Sequence, residues 1–466
     1  MYRTHLFLFV FLLISINGFS EAQSIEGSWK GSLNVGGQEL PLIFHIERVG
    51  ESLIGSMDSP NQGTMGLKLK KVLHEGMMLS LELQDVPATY EGLIMGDSIQ
   101  GNFKQSGMSL PLNLIRMNKD ELNVPKKQEP LPPFPYQSKE ISFKNTKENI
   151  QINGTLTLPE GEGPFPAVIL VTGSGPQNRD SEMLGHKPFL VLADHLTRNG
   201  IAVLRYDERG VGESEGSFKD ATSHDFKRDA TFAIKHLKQE AKVDAQKIGV
   251  IGHSEGALIA WMLGSEMNEL NFIVPLAGPV VPISQLMEQQ TMDQLLVSGI
   301  PENMADNQMK LNSRVYQVFI RSKSLDGVKT TLQNEIRDYL HENSGIEGEF
   351  LEKQTELTLK PYLPSITPWF FEFIKLDPET YIRKVNIPVF AAFGELDKQV
   401  HPYQNSERLD LLIQAYDKKD FSSKIYPKLN HLFQTAETGG IPEYANNEES
   451  FNELVMKDIV SWILAL

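Results

Sequence analysis

The sequence predicts a small antiparallel β-barrel-like domain followed by a larger α/β domain with a mostly parallel sheet. Three observations along the 466 residues support this division. Short runs of alternating apolar residues fill the N-terminal part, a proline-rich segment follows, and apolar strands then alternate with amphipathic helices. The length by itself also favours more than one domain.

The first residues have the pattern of an export signal. Arg3 precedes an apolar run over residues 6–16, and residues 20–22 (SEA) supply small side chains where a signal peptidase cleaves. The run is shorter than the roughly 20 apolar residues that span a bilayer. We therefore expect residues 1–22 to be a signal peptide cleaved after Ala22, and the mature protein to be periplasmic or extracellular without stable membrane insertion.

Residues 23–117 predict the antiparallel β domain, because their apolar runs are separated by glycine or asparagine turns. The opening residues 27–31 (GSWKG), followed by a β meander, resemble the start of small lipocalin-like barrels. We interpret Trp29 as a barrel core residue and not as a platform for a ligand. Residues 118–140 contain many prolines and predict a semi-rigid linker.

Residues 141–466 predict the α/β domain. The predicted strands cover residues 167–172, 202–206, 247–251, 272–276, 389–393 and 424–426. The predicted helices cover residues 188–198, 225–238, 255–263 and 451–464. From about residue 279 to 379, helical stretches interrupt the rhythm of strands, and we expect this insertion to form a helical cap.

Composition excludes several classes of function. The chain has 60 acidic against 44 basic residues and a net charge of -16, which opposes binding to nucleic acid. It has no cysteine, so disulfides and a thiolate nucleophile are excluded. The sequence gives no indication of the oligomeric state.

The most specific motif is residues 252–256 (GHSEG), which lie between an apolar strand-like run and a helix-like stretch. This is the strand-turn-helix context of a nucleophile elbow. The two glycines fall where the tight turn leaves no room for a side chain, and Ser254 falls at its apex. Ser254 is therefore the candidate nucleophile, with a helix N-cap serine as the alternative interpretation. The adjacent His253 is expected to pack or to position its neighbours.

A serine hydroxyl needs a base to take its proton, and the base needs a third group to orient it. Asp397 follows the predicted strand that ends at residue 393, and His431 follows the last predicted strand. The order serine, acid, histidine predicts that these residues complete a catalytic triad. Glu395 is the alternative acid on the same loop, and His401 is the alternative histidine.

Negative charge in the transition state needs backbone donors as well. The N–H of Glu255, the residue after the serine, is the first candidate donor. The glycine-containing loop of residues 171–176 (VTGSGP) follows an early strand and offers the N–H of Ser174, with Gly175 as the alternative. A plain glycine turn is the other interpretation of this loop.

Taken together, these motifs resemble the α/β-hydrolase superfamily, and specifically serine carboxylesterases with Gly-Ser-Gly-Pro-x-x-Arg-Asp after an early strand. That run is residues 173–180 here, and the other matching motifs are YDERG at 206–210, GHSEG at 252–256, GELD at 394–397 and LNH at 429–431. The resemblance implies a hydrolase of small-molecule carboxylic esters, often with short acyl chains, and no metal or organic cofactor. The lipase-type His-Gly-Gly-Gly run is absent. We assign residues 206–214 no catalytic role and expect this stretch to shape the rim of the cleft.

Two other functions remain open from the sequence: a prolyl-type serine aminopeptidase, and a non-catalytic protein that binds a glycan or lipid on a hydrolase scaffold. Specificity is expected to reside in the cap and in the aromatic cluster Trp369, Phe370 and Phe371. These rings are expected either to line the acyl pocket or only to seat the cap on the core.

Overall fold

The structure is a computed structural model that describes residues 24–35, 38–50, 52–59, 64–84, 86–105, 107–117 and 125–466. The predicted signal peptide, residues 1–22, lies outside the described residues, as do residues 118–124 of the predicted linker. The chain divides into two compact units, Met1–Asn123 and Val124–Leu466.

The first unit is a closed antiparallel barrel in which each strand pairs with the next and the last pairs back with the first. Its strands are β1 (Gly27–Val35), β2 (Gln38–Val49), β3 (Ser52–Ser59), β4 (Thr64–Glu75), β5 (Met78–Leu83), β6 (Ala88–Met95), β7 (Ser98–Gln105) and β8 (Met108–Arg116). Alternate side chains point inward, and Trp29, Phe44 and Tyr90 are fully buried in the barrel core. The predicted barrel and the interior position of Trp29 are confirmed.

The second unit contains one mixed sheet with the order β16-β15-β14-β13-β11-β12-β10-β9. Its strands are β9 (Gln137–Asn145), β10 (Ile150–Leu158), β11 (Phe165–Val171), β12 (Ala202–Tyr206), β13 (Val243–His253), β14 (Phe272–Leu276), β15 (Val389–Gly394) and β16 (Phe421–Tyr426). The pairs β9–β10 and β10–β12 are antiparallel, and the pairs from β12 through β11 to β16 are parallel. The mostly parallel α/β class predicted from the sequence is confirmed.

Helices cover both faces of this sheet and also form the insertion that follows β14. They are α1 (Pro188–Arg198), α2 (Ser223–Leu237), α3 (Glu255–Glu266), α4 (Ile283–Val297), α5 (Glu302–Arg321), α6 (Val328–Ser344), α7 (Gly348–Leu359), α8 (Pro368–Phe373), α9 (Glu379–Ile382), α10 (Pro402–Ala415), α11 (Ile441–Tyr444) and α12 (Glu453–Ala465). A 3₁₀ helix, Lys360–Ser365, joins α7 to the segment before α8. In β11, Ile169 packs with α2 and α3 on one face, and Leu170 packs with α1 and α12 on the other. Burial of alternate side chains on opposite faces is what a sheet between two helical layers requires.

The insertion after β14 forms a cap of helices α4 to α8 with an apolar cluster of its own. Leu258 and Met262 of α3 belong to the same cluster and are fully buried. The cap therefore packs directly on the helix that follows β13.

Two features differ from the pattern expected from sequence. Strands β9 and β10 were not among the predicted strands. The described proline-rich residues pack on the second unit, where Lys126 Nζ donates a hydrogen bond to the Asn447 carbonyl at 2.8 Å and the Tyr136 hydroxyl donates to Asp194 Oδ1 at 2.8 Å. From residue 125 onwards this segment is thus part of the α/β unit.

Candidate active site

The turn between β13 and α3 places Ser254 at a sharp corner of the chain. Ser254 has a φ of 56° and a ψ of -117°, a conformation that costs a non-glycine residue free energy. A Cβ on Gly252 would lie 2.0 Å from the Gly256 carbonyl oxygen, and a Cβ on Gly256 would lie 2.1 Å from the Val171 carbonyl oxygen. Only glycine fits at either position, so the motif builds the elbow by excluding side chains on both sides of the serine.

Asp397, on the loop after β15, is completely buried and has hydrogen bonds to both carboxylate oxygens. Its Oδ1 accepts from the backbone N–H groups of Gln399 at 2.7 Å and Val400 at 2.9 Å. Its Oδ2 lies 2.8 Å from Nδ1 of His431. Because the two backbone donors fix one oxygen, the other is held facing the imidazole.

The loop after β16 orients His431 from the other side. The side-chain Oδ1 of Asn430 accepts from the backbone N–H groups of Leu432 at 3.0 Å and Gln434 at 2.9 Å. His253 Nε2 donates to the His431 carbonyl oxygen at 2.8 Å, and the two rings lie 4.7 Å apart between centroids. Burial lowers the pKa of His253 to about 3, so this imidazole stays neutral beside His431.

Ser254 and His431 line one cavity of about 190 Å³. The other lining residues come from the loop after β11, from the cap and from the loops after β13, β15 and β16: Gly173, Ser174, Gln177, Ser181, Met183, His253, Leu286, Met287, Gln290, Trp369, Phe373, Gln399, Val400 and Leu432. The fold thus brings together Ser254, Asp397 and His431, whose positions in the sequence are far apart, at the carboxyl ends of parallel strands. Ligands bind at this edge in open α/β sheets.

Comparison with known proteins gives three kinds of similarity. The family described as Hydrolase_4, serine aminopeptidase S33, matches residues 187–331. Esterase EstD of Thermotoga maritima is 26% identical over 324 residues, covering 68% of this chain and 67% of EstD. An acyl transferase of Photobacterium leiognathi is 30% identical over 147 residues, covering 31% of this chain and 45% of the transferase. The solved structure of Pyrococcus furiosus esterase Pf2001 aligns at 16% identity with a TM-score of 0.43, over 71% of this chain and 91% of Pf2001.

The sheet order, the elbow after β13 and the match to EstD agree with one another. The chain has the α/β-hydrolase fold. It is a hydrolase whose relatives include named esterases, and the fold and the resemblance expected from the sequence motifs are confirmed.

In this α/β-hydrolase, the candidate oxyanion donors lie on two sides of Ser254. Glu255 is the first residue of α3, where helix N–H groups point away from the helix toward a developing anion. Gly173 and Ser174 line the cavity, and a Cβ on Gly173 would lie 3.2 Å from Ser254 Cβ. Gly175 instead lines a second cavity of about 310 Å³. This geometry favours Ser174 over Gly175 as the second donor.

The aromatic cluster of the cap divides between the cavity wall and the cap interior. Trp369 lines the cavity, and its Nε1 donates to the Glu255 carboxyl oxygens at 3.0 and 3.1 Å. Phe370 and Phe371 are each 6% exposed and pack within the apolar cluster of the cap, although Phe370 also borders the second cavity. Phe373 lines the same cavity as Ser254 and stacks on Trp369 with centroids 4.8 Å apart. The helical spacing of four residues between Phe373 and Trp369 is the signal that could have identified Phe373.

The alternative acid and the alternative histidine have local structural contacts. Glu395 Oε2 accepts a hydrogen bond from the Lys428 N–H at 2.8 Å and so ties two neighbouring loops together. His401 caps the N-terminus of α10, where its Nδ1 accepts from the Gln404 N–H at 3.3 Å. Neither side chain makes the contact that joins Asp397 to His431.

The side chains of residues 206–209 are buried, so the predicted rim position is wrong for these four, whereas residues 210–214 are half-buried or exposed and their place at the rim stays a prediction. Asp207 pairs with Arg179 at 2.7 Å, and Arg209 pairs with Asp229 at 2.6 Å. Glu208 contacts the loop after β11. These charged side chains find partners across several elements, a property that one-dimensional spacing does not reveal.

Within the described ranges, no group of three or more His, Asp or Glu side chains is arranged to hold a metal ion. No helix among the same residues is long and apolar enough to cross a membrane.

Proposed function

We propose that this α/β-hydrolase cleaves carboxylic esters, with short acyl chains preferred, through Ser254, His431 and Asp397. Ser254 Oγ attacks the ester carbonyl while His431 takes its proton, and His431 then protonates the leaving alcohol. Water, deprotonated by His431, attacks the acyl-enzyme and releases the acid and free Ser254. Asp397 keeps the Nδ1–H tautomer of His431 and stabilises the imidazolium that forms.

The observation that carries the proposal is the 2.8 Å contact of Asp397 Oδ2 with His431 Nδ1 beside a cavity that Ser254 and His431 share. A neutral imidazole whose Nδ1–H is bound to a carboxylate leaves Nε2 as the basic nitrogen. In the proposed mechanism that nitrogen serves Ser254, while the N–H groups of Glu255 and Ser174 receive the developing oxyanion.

The decisive experiment uses Ser254→Ala and p-nitrophenyl acetate. We expect hydrolysis to fall to background while the thermal unfolding temperature stays at or above the wild-type value. Ser265→Ala on the same helix is the matched control, because its hydroxyl bonds only to the helix carbonyl of Met262. Covalent labelling of the wild-type chain, but not of Ser254→Ala, by a fluorophosphonate tests the nucleophile directly. Unlabelled wild-type protein would favour a non-catalytic glycan- or lipid-binding function instead.

The preference for short acyl chains is supported by the cavity volume of about 190 Å³ and by the bulky walls of Trp369 and Phe373. A panel of p-nitrophenyl esters from acetate to octanoate should give kcat/KM values that decrease with chain length. A maximum of kcat/KM at octanoate would contradict the short-chain preference, but it would not contradict the assignment of the triad.

The family match to serine aminopeptidases makes peptide hydrolysis the second candidate. An aminopeptidase needs a negative group near the scissile bond to hold the substrate α-ammonium. Of the described side chains that line the cavity, none is a carboxylate. This supports esters over amides, and a matched pair of an alanine p-nitroanilide and an alanine p-nitrophenyl ester tests it: faster turnover of the amide would overturn the preference.

A further inference from the structure

The loop of residues 173–176, which carries Ser174, is held at both ends by one buried side chain, that of Glu208. Thr172 Oγ1 donates a hydrogen bond to Glu208 Oε1 at 2.6 Å, and the Gln177 N–H donates to Glu208 Oε2 at 3.0 Å. The backbone of Glu208 adds a third bond, because its N–H donates to the Gln177 carbonyl at 3.2 Å. A single carboxyl group therefore brackets the loop.

We propose that Glu208 is a positioning residue that fixes the loop donating the second oxyanion hydrogen bond. This inference rests on the proposed esterase function. Glu208 is 6% exposed and does not belong to the residues that line the cavity, which include Gly173 and Ser174. Its influence on the reaction therefore passes through the loop and not through contact with the substrate.

Pro176 fixes one backbone angle of the loop and the Ser174 side chain hydrogen-bonds to Glu255, but the two glycines leave the rest of its backbone free to vary. Gly173 and Gly175 lack side chains, and Gly175 has a φ of +99° in the region that favours glycine. An oxyanion donor acts only when it lies about 2.7 to 3.1 Å from the anionic oxygen, and small displacements are costly. Fixing Thr172 and Gln177 limits the positions that the N–H of Ser174 can take.

Glu208 is itself anchored through its two neighbours in the sequence. Asp207 Oδ2 accepts from Arg179 Nη2 at 2.7 Å, and Arg209 Nε donates to Asp229 Oδ2 at 2.6 Å. All of these pairs are at least partly buried, so solvent screens them less than surface pairs. The backbone on both sides of Glu208 is thus held by charge-assisted hydrogen bonds.

The bracket depends on hydrogen-bonding atoms and does not require a negative charge. Burial, together with the nearby carboxyl groups of Glu255 on α3 and Asp229 on α2, raises the pKa of Glu208 to about 8, although the hydrogen bonds from Thr172 and Gln177 act to lower it. In the neutral form one oxygen carries a proton that the Thr172 hydroxyl can accept, while the other oxygen still accepts from the Gln177 N–H. A glutamine amide presents the same donor and acceptor pair.

The test compares Glu208→Gln with Glu208→Leu, which has nearly the same volume but no hydrogen-bonding atom. With p-nitrophenyl acetate we expect the leucine variant to lose about tenfold or more in kcat, with KM changed by less than about threefold. The glutamine variant should recover most of the wild-type kcat. Glutamine as impaired as leucine, or leucine as active as wild type, would overturn the inference.

Two further variants keep the test decisive. Thr172→Val removes only the hydrogen bond from Thr172 to Glu208 and should lower kcat several-fold. This variant replaces Glu208→Leu as the test if Glu208→Leu does not fold. An unchanged kcat of Thr172→Val would then contradict the proposed positioning role of Glu208. Glu215→Leu is the matched control, since this exposed carboxylate lies on the same connection but accepts from the Gln151 N–H. Its kcat should equal that of wild type. A wild-type chain without esterase activity would instead refute the proposed function, so the two failures are distinguishable.

Discussion

The indole Nε1 of Trp369 donates a hydrogen bond 3.0 Å long to the carboxyl group of Glu255, the residue that follows Ser254. The cap and the elbow are thereby joined at the wall of the cavity that Ser254 and His431 line. The Ser223 hydroxyl donates to the same carboxyl at 2.5 Å, so a buried acid receives bonds from two elements. Burial raises the pKa of Glu255.

Trp369→Phe should destabilise the protein by about 1–3 kcal/mol, because it keeps an aromatic wall but removes one partner of a buried carboxyl group. The free energy of unfolding from urea titration measures this loss. Trp462→Phe is the control: Trp462 lies on α12, where it packs against Phe272 and Phe390 on the opposite face of the sheet. Equal stability of Trp369→Phe and wild type would show that the indole bond contributes nothing.

Asp397→Asn should lower kcat by about 10³ to 10⁴-fold with a small change in KM, because an amide at Oδ2 would favour the wrong tautomer of His431. The fold should persist, since the remaining oxygen can still accept from the Gln399 and Val400 N–H groups. Steady-state kinetics with p-nitrophenyl acetate measure the effect. The kcat of Glu395→Gln should stay within about threefold of the wild-type value. A larger loss of kcat in Glu395→Gln than in Asp397→Asn would indicate that Glu395, and not Asp397, is the acid of the triad.

Ser254→Gly should be more stable than Ser254→Ala by about 1 kcal/mol or more. Both variants remove the hydroxyl, but only glycine adopts a φ of 56° with a ψ of -117° without strain. The difference in unfolding temperature between the two variants measures the strain that the elbow imposes on residue 254. An alanine variant as stable as the glycine variant would show that the corner is relaxed.

Glu208 should make the stability of the protein decrease as pH rises. Its pKa in the folded chain is about 8 against a reference value of 4.5, so the folded state keeps a proton that the unfolded state has lost. The contribution to stability is therefore full below about pH 4.5, decreases up to about pH 8 and then levels off. Glu208→Gln does not titrate, and its free energy of unfolding relative to wild type should rise across this window. A constant difference from pH 5 to 9 would contradict the prediction.

The sequence predicted the barrel, the parallel sheet and the residues that the sheet brings together, because Ser254 and Asp397 each follow an apolar run and His431 follows the shorter, mixed run of β16. In this fold the serine, the acid and the histidine follow one another in a fixed order along the chain, and that order is visible in the sequence.

Other features were not predicted from the sequence. β9 is polar and largely exposed, so its apolar periodicity is weak. In β10, by contrast, Ile150, Ile152, Leu156 and Leu158 stand at alternate positions, which is a strand signal that could have been used. The role of Glu208 depends on Thr172 and Gln177, which lie about thirty residues earlier and meet it only through the parallel pairing of β11 with β12. Phe370 and Phe371 are as aromatic as Trp369, and only the rotation of a short helix decides which ring reaches the cavity.

The packing of the cap on α3 limits how freely this enzyme can acquire a new specificity. Leu258 and Met262 lie one and two helical turns after Ser254, and both are buried in the apolar cluster of the cap. A cap from another protein, grafted in place of residues 279–379, would have to pack equally well around these two side chains. A poor fit would disturb the helix that begins next to Ser254, so changes in substrate choice and loss of turnover are expected to arise together.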